Sequence, residues 1–509
     1  MTSGASLASD FAANADNRGD RPALSVDGID FSYSGLASLA RGIGGWLRSR
    51  GVRVGSRVGI LASRSLESFA GILGTCWIGA TYVPIQVGLP GKAIAQIIRS
   101  TEFDALIVDR RGKAALSNQD LDLSPEHILT SAEEALPHAL CAGPVPVPPD
   151  AAAYIEFTSG TTGTPKGVVI SVRAFSHFIS VMRERYRLSG EDRVAATSDI
   201  TFDISLANMF MAWGAGASLH VVPARRLMAP FRFIQDRQLT VWFSVPSIAT
   251  FMRRMNLLQR CSFPQLRYSL FAGEPLWWDC ATAWQEAAPN SIVENLYGPT
   301  EATVVCSSQT VGTPVRVTPK RGVVAIGRPF PGTDVAIVDS ALKFLPPGEE
   351  GQIVLSGAQL SEGYHRQPEL TEERFPVIEG KRWYLTGDLG YQDVSGAFHH
   401  LGRMDNQVKI LGHRVELEEI ESHLRQVCKP DMVAAVAWPI ADGSALGVVA
   451  FVSGTACSCS EVRERMKNQV VRYMVPQAVH VLDRLPLNSN GKVDRQALLR
   501  LLASNHLSL

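Results

Sequence analysis

The sequence predicts an α/β protein with a large N-terminal domain of α/β subdomains and a β-rich subdomain, followed by a small α+β C-terminal domain. Up to about residue 250, short apolar runs alternate with segments of helical apolar spacing, which is typical of parallel sheets covered by helices. After about residue 320, short β segments follow one another and indicate the β-rich part. About the last hundred residues again mix helical and strand patterns, which indicates a separate small domain.

The individual elements follow from these apolar patterns in chain order. Strands are predicted at residues 58–61, 82–85, 105–108, 194–197, 218–222, 241–245, 323–326, 334–338, 352–356, 398–401, 433–438 and 447–452. Helices are predicted at residues 67–78, 206–213, 417–426 and 461–470. Residues 142–150 are rich in proline, can form little regular structure, and connect two α/β patterns.

Composition excludes several classes of protein. The 509 residues carry 49 Lys and Arg against 49 Asp and Glu, so there is no basic surplus of the kind that drives nucleic-acid binding. With 46% hydrophobic and 19% charged residues, the chain is too apolar to be disordered. The longest uncharged stretch, residues 68–91, is interrupted by glycines and prolines, which favours a buried helix and strand over a membrane span. We see no secretory signal, and the eight cysteines are scattered along the chain. We therefore expect a cytoplasmic protein with reduced thiols.

A loop rich in glycine and hydroxyl side chains joins two strand-like segments within residues 154–170. Such a loop brings backbone amides and hydroxyls close to oxyanions, and Lys166 adds a cation, so the composition suits the β- and γ-phosphates of a nucleotide. It is not a P-loop, because Pro165 replaces the glycine before the lysine and Gly167 replaces the serine or threonine after it. The alternative is a structural loop without a ligand.

Five motifs together resemble adenylate-forming enzymes, the superfamily of acyl-CoA synthetases, luciferases and the adenylation domains of non-ribosomal peptide synthesis. Thr158-Ser-Gly-Thr-Thr-Gly-Thr-Pro-Lys-Gly167 resembles their signature loop, and Asn295-Leu-Tyr-Gly-Pro-Thr-Glu301 their adenine and magnesium motif. Tyr384-Leu-Thr-Gly-Asp388 resembles the ribose motif. Residues 401–416 resemble the hinge motif, and residues 485–494 the catalytic-lysine loop. The Asn-Gln-Val-Lys and Asn-Gly-Lys-Val-Asp spellings favour the branch that activates amino acids.

The resemblance implies ATP and Mg²⁺ as cofactors. Tyr297 would stack on adenine, Asn295 would bind its exocyclic amine, and Asp388 would accept the ribose hydroxyls with help from Arg403. Glu301 would bind Mg²⁺, which prefers carboxylate and phosphate oxygens. The alternatives are a core aromatic for Tyr297 and a buried ion pair for Asp388 and Arg403. The full implied ATP-binding set is Thr158, Ser159, Gly160, Thr161, Thr162, Gly163, Lys166, Gly273, Glu274, Asn295, Tyr297, Gly298, Asp388 and Arg403.

The resemblance also implies two catalytic states. Residues 1–404 would form the adenylation core, and residues 405–509 a small mobile cap that rotates about Asp405. Lys492 would neutralise charge during adenylation, and Thr300 would donate to the α-phosphate. After rotation, Lys409 would sit near the nucleotide and Gly412 would open a passage for a phosphopantetheine arm. The alternatives are a rigid two-domain chain and, for Lys492, a lysine in a solvated surface turn.

The amino-acid pocket is predicted by carrying over the family's substrate positions. Asp203 falls where amino-acid-activating members bind the substrate ammonium, although an aspartate before an apolar helix is also a common N-cap. Apart from Asp203 and Lys492, we expect no acid, base or amide in this wall, which indicates a small apolar side chain. The remaining wall positions are Ile204, Ala207, Phe243, Leu270, Ala272, Leu296, Val304 and Val305.

The pattern resembles stand-alone enzymes that load L-proline on a peptidyl carrier protein for pyrrole formation in secondary metabolism. Because no carrier attachment motif follows in the sequence, we expect a separate carrier with a phosphopantetheine arm. Alanine, D-alanine, valine or a β-amino acid, an acyl-CoA or luciferase-like reaction, and a non-catalytic nucleotide-binding relative are the alternatives. The adjacent His399 and His400 are predicted to belong to a strand and not to a metal site.

Overall fold

A computed structural model describes residues 6–116, 123–138, 141–158, 165–312, 316–319, 321–441, 444–455, 457–487 and 493–504. Its α-helices are α1 Ser9–Asn17, α2 Tyr33–Ser49, α3 Leu66–Trp77, α4 Gly91–Thr101, α5 Arg110–Leu116, α6 Val172–Tyr186, α7 Asp203–Gly214, α8 Phe231–Asp236, α9 Pro246–Arg254, α10 Trp278–Ala287, α11 Pro368–Arg374, α12 Leu417–Cys428, α13 Cys459–Lys467 and α14 Arg495–Ala503. Short 3₁₀ turns lie at Pro125–His127, Glu133–Ala135, Ala224–Arg226, Thr300–Ala302 and Arg472–Met474.

The strands up to residue 310 are β1 Pro22–Val26, β2 Ile29–Ser32, β3 Arg57–Leu61, β4 Thr81–Pro84, β5 Ala105–Val108, β6 Ile128–Leu129, β7 Ala152–Thr158, β8 Lys166–Ser171, β9 Arg193–Ala196, β10 Ser218–Val221, β11 Val241–Ser244, β12 Tyr268–Phe271, β13 Ile292–Tyr297 and β14 Ser307–Thr310. The later strands are β15 Val317–Thr318, β16 Val323–Val324, β17 Arg328–Pro329, β18 Thr333–Val338, β19 Gly351–Gly357, β20 Gly363–Tyr364, β21 Val377–Ile378, β22 Lys381–Arg382, β23 Tyr384–Gln392, β24 Phe398–Arg403, β25 Gln407–Ile410, β26 His413–Glu416, β27 Met432–Ala437, β28 Ile440–Ala441, β29 Ser444–Ala445, β30 Val448–Ser453 and β31 Ala478–Val481.

The chain divides into two compact units. The first consists of Met1–Val87, Ile94–Phe157 and Gly167–Gly402, and the second of Gly88–Ala93, Thr158–Lys166 and Arg403–Leu509. The second unit therefore includes the ends of the glycine-rich loop as well as the C-terminal part of the chain. The predicted functional boundary between residues 404 and 405 stays a prediction.

A seven-stranded sheet in the first unit has the order β20-β8-β7-β4-β3-β5-β6. Its centre is parallel, with β3 between β4 and β5, and α3 packs on these strands. The strands at its centre are buried on both faces, which is why they read as apolar runs in the sequence. The predicted proline-rich connector, residues 142–150, contains no helix or strand and leads into β7.

A nine-stranded sheet in the same unit has the order β17-β14-β13-β12-β11-β9-β10-β1-β2. Strand β9 is parallel to both β10 and β11, β11 is parallel to β12, and β12 is parallel to β13. Helices α7, α9 and α10 follow β9, β11 and β12 in the chain. Phe243 of β11 lies beside Leu270 of β12, and Leu270 lies beside Glu294 of β13. Because side chains alternate along a strand, Phe243, Leu270 and Leu296 share one face of this sheet.

The predicted β-rich region is confirmed, with one difference. A four-stranded sheet has the order β18-β19-β23-β24, and the strands predicted at residues 334–338, 352–356 and 398–401 all belong to it. The strand predicted at residues 323–326 is limited to Val323–Val324. The N–H of Ala325 still donates to the carbonyl oxygen of Arg316, whereas the N–H groups of Ile326 and Gly327 both donate to the carbonyl oxygen of Phe398.

The second unit contains the predicted small α+β module. Two sheets have the orders β26-β25-β29-β28 and β27-β30-β31. Helices α12 and α13 bury Ile420, Leu424, Val462 and Met466 in the cluster shared with these strands. Helix α13 begins with a capping box in which Ser458 and Glu461 exchange hydrogen bonds, which explains the well-defined start of the helix.

Two further features bear on the class of protein. Of the helices within the described residues, none combines the length and apolar character needed to cross a bilayer. The eight cysteines are free thiols, and Cys76, Cys280 and Cys306 are buried among apolar neighbours.

Candidate functional site

The residues predicted to line the amino-acid pocket lie in the first unit. Its eight apolar residues are all buried, and all belong to one hydrophobic cluster. They come from α7, from the carboxyl-terminal halves of β11, β12 and β13, and from the loop after β13. The carboxyl ends of parallel strands are where open α/β sheets commonly bind ligands. Their role as one pocket wall stays a prediction for Ile204, Ala207, Phe243, Leu270, Ala272, Leu296, Val304 and Val305.

Asp203 lies at the start of α7 but does not cap it. The N-cap residue is Phe202, which has no side-chain cap, and Asp203 is the first helical residue. Its side chain is buried, with 7% of the residue exposed. The alternative interpretation of Asp203 as the N-cap is therefore wrong.

Glu156, in β7, supplies the cap that Phe202 lacks. Its Oε1 atom accepts a hydrogen bond of 3.1 Å from the backbone N–H of Asp203. The residue is buried, and burial followed by the negative charge of Asp203 raises the pKa of Glu156 well above its usual value. Sequence analysis did not single out Glu156, and the prediction of an otherwise apolar pocket wall stays a prediction. The signal in the sequence was an acidic residue inside an otherwise apolar strand.

The loop after β13 has a strained backbone that Gln359 holds in place. Thr303 and Val304 have φ angles of 57° and 66°, a left-handed conformation that is unfavourable for β-branched residues. The Gln359 Nε2 atom donates to the carbonyl oxygens of Val305, Ala302 and Thr303 at 2.9, 3.2 and 3.3 Å. The Thr303 hydroxyl donates to the Gln359 carbonyl oxygen at 2.6 Å. Gln359 thus fixes the segment that carries two pocket residues, and sequence reasoning missed it.

Gly298 lets the same loop approach β13. A Cβ atom at this position would lie 2.5 Å from the Cα atom of Val305, so no larger residue fits without displacing the backbone. The N–H of Cys306 donates to the carbonyl oxygen of Tyr297 at 2.7 Å, which closes the loop against the strand. The glycine predicted for nucleotide binding therefore also has a packing reason.

Glu301 is fully buried in the Thr300–Ala302 turn and accepts a 2.9 Å hydrogen bond from the Tyr364 hydroxyl. Its carboxylate suits Mg²⁺, which usually takes one or two protein carboxylates and completes its shell with water and substrate phosphates. No cluster of three or more His, Cys, Asp or Glu side chains placed to hold a metal occurs in the described parts of the chain. A Mg²⁺ ion here would thus depend on the phosphates of ATP. Thr300 opens this turn and is half-buried.

The predicted adenine and ribose residues are linked to each other. The Tyr297 hydroxyl donates to Asp388 Oδ2 at 2.5 Å, and His400 Nε2 lies 3.2 Å from Asp388 Oδ1. Burial and the charge of Asp388 raise the pKa of Tyr297 well above its usual value. His400 was not predicted to belong to the site. It lies with His399 in β24, as predicted, while His399 stacks on Tyr391.

Asn295 uses its amide nitrogen to hold the fold and leaves its oxygen for a ligand. Nδ2 donates to the carbonyl oxygens of Val324 and Ala325 at 3.1 and 2.9 Å. Oδ1 is buried and accepts no hydrogen bond from the described residues. A buried oxygen of this kind matches the donor of an exocyclic amine.

Gly273 and Glu274 form the turn that follows β12. Gly273 has a φ angle of 92°, which favours glycine. Glu274 Oε2 accepts a 2.8 Å hydrogen bond from the N–H of Ser247 and so caps the start of α9. This contact is structural, and the nucleotide role of the two residues stays a prediction.

The glycine-rich loop is described only at its ends. Thr158 closes β7 with its Oγ1 atom buried, and Lys166 opens β8. Within the second unit, Lys166 Nζ lies 3.9 Å from Glu416 Oε1. The other predicted residues of the loop, and the predicted catalytic lysine, lie outside the described residues: Ser159, Gly160, Thr161, Thr162, Gly163 and Lys492.

The predicted hinge residues lie in the second unit. Arg403 Nε donates to Asp405 Oδ1 at 2.9 Å, and the N–H of Gln407 donates to the same oxygen at 3.1 Å. Gly412, with a φ angle of 86°, occupies the two-residue turn between β25 and β26. Lys409 is exposed on β25. Lys409 and Gly412 thus lie in the hairpin formed by β25 and β26, and Asp405 lies two residues before this hairpin.

Comparisons with known proteins show which family the chain is similar to. A family model described as AMP-binding enzyme matches residues 11–365. The chain is 33% identical over 501 residues to tyrocidine synthase 3 of Brevibacillus parabrevis, covering 96% of this chain and 8% of that protein. It is 31% identical over 498 residues to the dimodular nonribosomal peptide synthase of Bacillus subtilis (strain 168), covering 94% of this chain and 20% of that protein. The chain therefore spans only a small part of the length of these curated relatives.

A solved structure extends the likeness over the whole chain. The Vibrio cholerae adenylation domain AlmE, in complex with glycyl-adenosine-5'-phosphate, superposes with a TM-score of 0.87 at 32% identity and with 97% of each chain covered. The predicted fold class is confirmed by this match, which includes both the large N-terminal part and the small C-terminal part. The chain belongs to the AMP-binding enzyme family, the adenylate-forming family that its motifs resemble.

Proposed function

We propose that this protein activates an amino acid as an aminoacyl adenylate and then transfers the aminoacyl group to the phosphopantetheine thiol of a carrier protein. The observation that carries the proposal is a buried carboxylate, Asp203, at the edge of a pocket whose other predicted wall residues are apolar. A buried ammonium requires a carboxylate partner, whereas a fatty or aryl acid does not. The pocket is therefore suited to a zwitterion with a small apolar side chain.

In the first step, a substrate carboxylate oxygen attacks the α-phosphorus of ATP, and pyrophosphate leaves. Two anions must meet, so positioning and neutralisation of charge supply most of the catalysis. Bound Mg²⁺ would neutralise phosphate charge, and Glu301 is the residue to hold it. Thr300 would donate to the α-phosphate, Lys166 would bind the phosphates, and Lys492 would reach both the substrate carboxylate and the nucleotide.

The nucleoside would be held by Asn295, Tyr297, Asp388 and Arg403, of which Tyr297 and Asp388 already contact one another. Asn295 Oδ1 would accept from the adenine amine, and Tyr297 would lie against the adenine ring. Asp388 would accept the ribose hydroxyls with Arg403, while His400 and the Tyr297 hydroxyl keep its carboxylate in place. A carboxylate held by two neighbours retains its orientation for both ribose hydroxyls.

The first candidate substrate is L-proline. Phe243 offers a flat surface to a pyrrolidine ring, and Ile204, Leu270 and Val304 leave no polar partner for a hydroxyl or an amide side chain. D-alanine, alanine, valine and β-amino acids are the competitors. AlmE holds a glycyl adenylate, which supports a small substrate, and the peptide synthase names of the relatives support a carrier thiol as the acceptor.

In the second step, the thiol sulfur attacks the acyl carbon, and AMP leaves. We assign the change between steps to a rotation of residues 405–509 about Asp405 against residues 1–404. The hairpin with Gly412 at its turn and Lys409 on its strand would then face the nucleotide. Hinges of this kind need only a few residues that absorb the rotation.

The test is ATP–pyrophosphate exchange with each of the twenty standard amino acids, D-alanine, β-alanine and a fatty acid. The proposal expects exchange with small apolar amino acids, strongest with L-proline, and its loss in Asp203→Ala. Strongest exchange with D-alanine would replace proline by D-alanine as the substrate. Exchange with the fatty acid alone, or full amino-acid exchange in Asp203→Ala, would overturn the aminoacyl proposal.

A further inference from the structure

We propose that Glu156 is a second carboxylate of the ammonium subsite, which accepts one N–H of the substrate ammonium while Asp203 accepts another. The inference rests on the proposed function and deepens it, because it names a specificity residue for the amine of the substrate. Glu156 lies outside the apolar pocket wall and outside the nucleotide motifs. It is the last buried residue of β7 before the glycine-rich loop.

The geometry of Glu156 leaves one oxygen for a ligand. Oε1 accepts the 3.1 Å hydrogen bond from the N–H of Asp203, so the carboxyl group lies at the amino-terminal end of α7. Oε2 is buried, and no donor among the described residues reaches it. Only 4% of the residue is exposed, so bulk water does not compensate for a missing partner.

Two other buried carboxylates of the first unit, Glu294 and Asp192, each have an arginine partner. Glu294 is paired with Arg185 and accepts the hydroxyls of Tyr186 and Thr310. Asp192 accepts from both Arg267 and Thr240 and from the N–H of Ser189. A buried carboxylate without a cation is strongly unfavourable, and a bound cation removes this penalty.

Two negatively charged side chains act on Glu156. Asp203 and Glu301 both raise its pKa, in addition to the larger effect of burial. Asp203 and Glu156 also raise the pKa of Tyr154 on the same face of β7. Several buried acids next to the predicted apolar pocket favour a substrate that places a cationic group beside them.

The chemistry of the amine fits two carboxylates. A secondary ammonium such as that of proline carries two N–H groups, one for Asp203 and one for Oε2 of Glu156. A primary ammonium carries a third N–H, which needs a further acceptor. Mg²⁺ is the other cation of the reaction, but the nucleotide brings it to Glu301, whereas Glu156 is hydrogen-bonded to the backbone of the residue that binds the amine.

The experiment uses Glu156→Gln and Glu156→Leu in the full chain, with L-proline and its amine-free analogue cyclopentanecarboxylate as paired substrates for pyrophosphate exchange. In Glu156→Gln, one polar atom still faces the N–H of Asp203 but the charge is lost. We expect the KM for proline to rise about tenfold or more, because a charged hydrogen bond is lost. The KM for the analogue should stay the same or fall, and the KM for ATP should stay within about twofold.

The matched control is Asp192→Asn, which removes another buried carboxylate of the same unit at the amino-terminal end of β9. It should change stability without changing the ratio of the two KM values. This ratio does not depend on the fraction of folded enzyme, so a variant that folds poorly still gives an answer.

Equal rises in both KM values in Glu156→Gln would overturn the inference and leave Glu156 as a structural cap of α7. A rise confined to the KM for ATP or Mg²⁺ would overturn it in favour of a metal role. If the wild type exchanges no amino acid at all, the proposed function fails together with this inference. If the wild type exchanges proline and the proline KM is unchanged in both Glu156→Gln and Glu156→Leu, this inference fails while the proposed function stands.

Discussion

Gln359 holds the pocket loop by a single side-chain amide, so Gln359→Met tests whether this clamp shapes the site. Methionine has a similar length and no donor, and it would fill the same buried space, since 1% of Gln359 is exposed. The change leaves the carbonyl oxygens of Ala302, Thr303 and Val305 without their donor. Thr303 and Val304 would then lose the contact that keeps them in the left-handed conformation.

The magnitude follows from the hydrogen bonds. Nε2 has two hydrogens for three acceptors, so the 2.9 Å bond to Val305 counts fully and the 3.2 and 3.3 Å bonds share the second hydrogen. A buried group left unpaired costs about 1 to 3 kcal/mol, which gives a loss of about 2 to 4 kcal/mol in the free energy of unfolding. The amino-acid KM should rise about tenfold as Val304 and Val305 lose their fixed positions.

Urea unfolding and pyrophosphate exchange measure the two effects separately. Gln392→Met, a half-buried glutamine of β23, is the matched control and should change neither quantity beyond about 0.5 kcal/mol or twofold. A Gln359→Met protein with wild-type stability and a wild-type amino-acid KM would refute the clamp. Reduced stability with an unchanged KM would limit Gln359 to a role in folding.

Three further predictions concern the nucleotide residues and the pH dependence of stability. Gly298→Ala should abolish most exchange activity, because its Cβ atom would lie 2.5 Å from the Cα atom of Val305; wild-type kinetics in this variant would show that the loop can yield. Tyr297→Phe removes the donor to Asp388 and should raise the KM for ATP about threefold to tenfold, with the amino-acid KM unchanged, as measured by exchange at varied ATP. Burial lowers the pKa of His220 to about 4 from 6.5, so its contribution to stability is complete above about pH 6.5 and is lost as the pH falls towards 4. The free energy of unfolding should therefore fall by about 3 kcal/mol between pH 7 and pH 4 because of His220. Urea unfolding over this pH range should show a smaller fall in His220→Gln than in the wild type. An equal fall in both proteins would contradict the lowered pKa of His220.

The fold was predictable where elements depend on local patterns. The strand predicted at residues 105–108 has the same bounds in the structure, because four consecutive apolar residues can be buried on both faces of a sheet. Helix α7 begins at Asp203, three residues before the predicted start at residue 206. Its first turn is stabilised by Glu156, which is 47 residues away in sequence, and no local pattern records that contact.

Motif resemblance led to candidate site residues, whereas contacts made by packing could not be read from the sequence. The eight apolar positions and Asp203 came from motif resemblance; the structure shows each of them buried, and their binding roles stay predictions. Glu156, Gln359, Tyr364 and His400 were missed because their roles depend on partners distant in the chain. Tyr364, for example, reaches Glu301 across 63 residues. Such contacts follow from the packing of sheets against one another, which sequence spacing does not encode.

In the proposed reaction, a substrate carboxylate oxygen forms a bond to the α-phosphorus of ATP. The most direct measurement incubates the protein with ATP, Mg²⁺, hydroxylamine and L-proline carrying ¹⁸O in both carboxylate oxygens, followed by mass analysis of the nucleotide products. Hydroxylamine then attacks the acyl carbon of the adenylate and AMP leaves, so the bridging oxygen stays on the phosphorus of AMP. We predict AMP with one ¹⁸O atom, whereas unlabelled AMP, or ADP with ¹⁸O in inorganic phosphate, would contradict the formation of an aminoacyl adenylate.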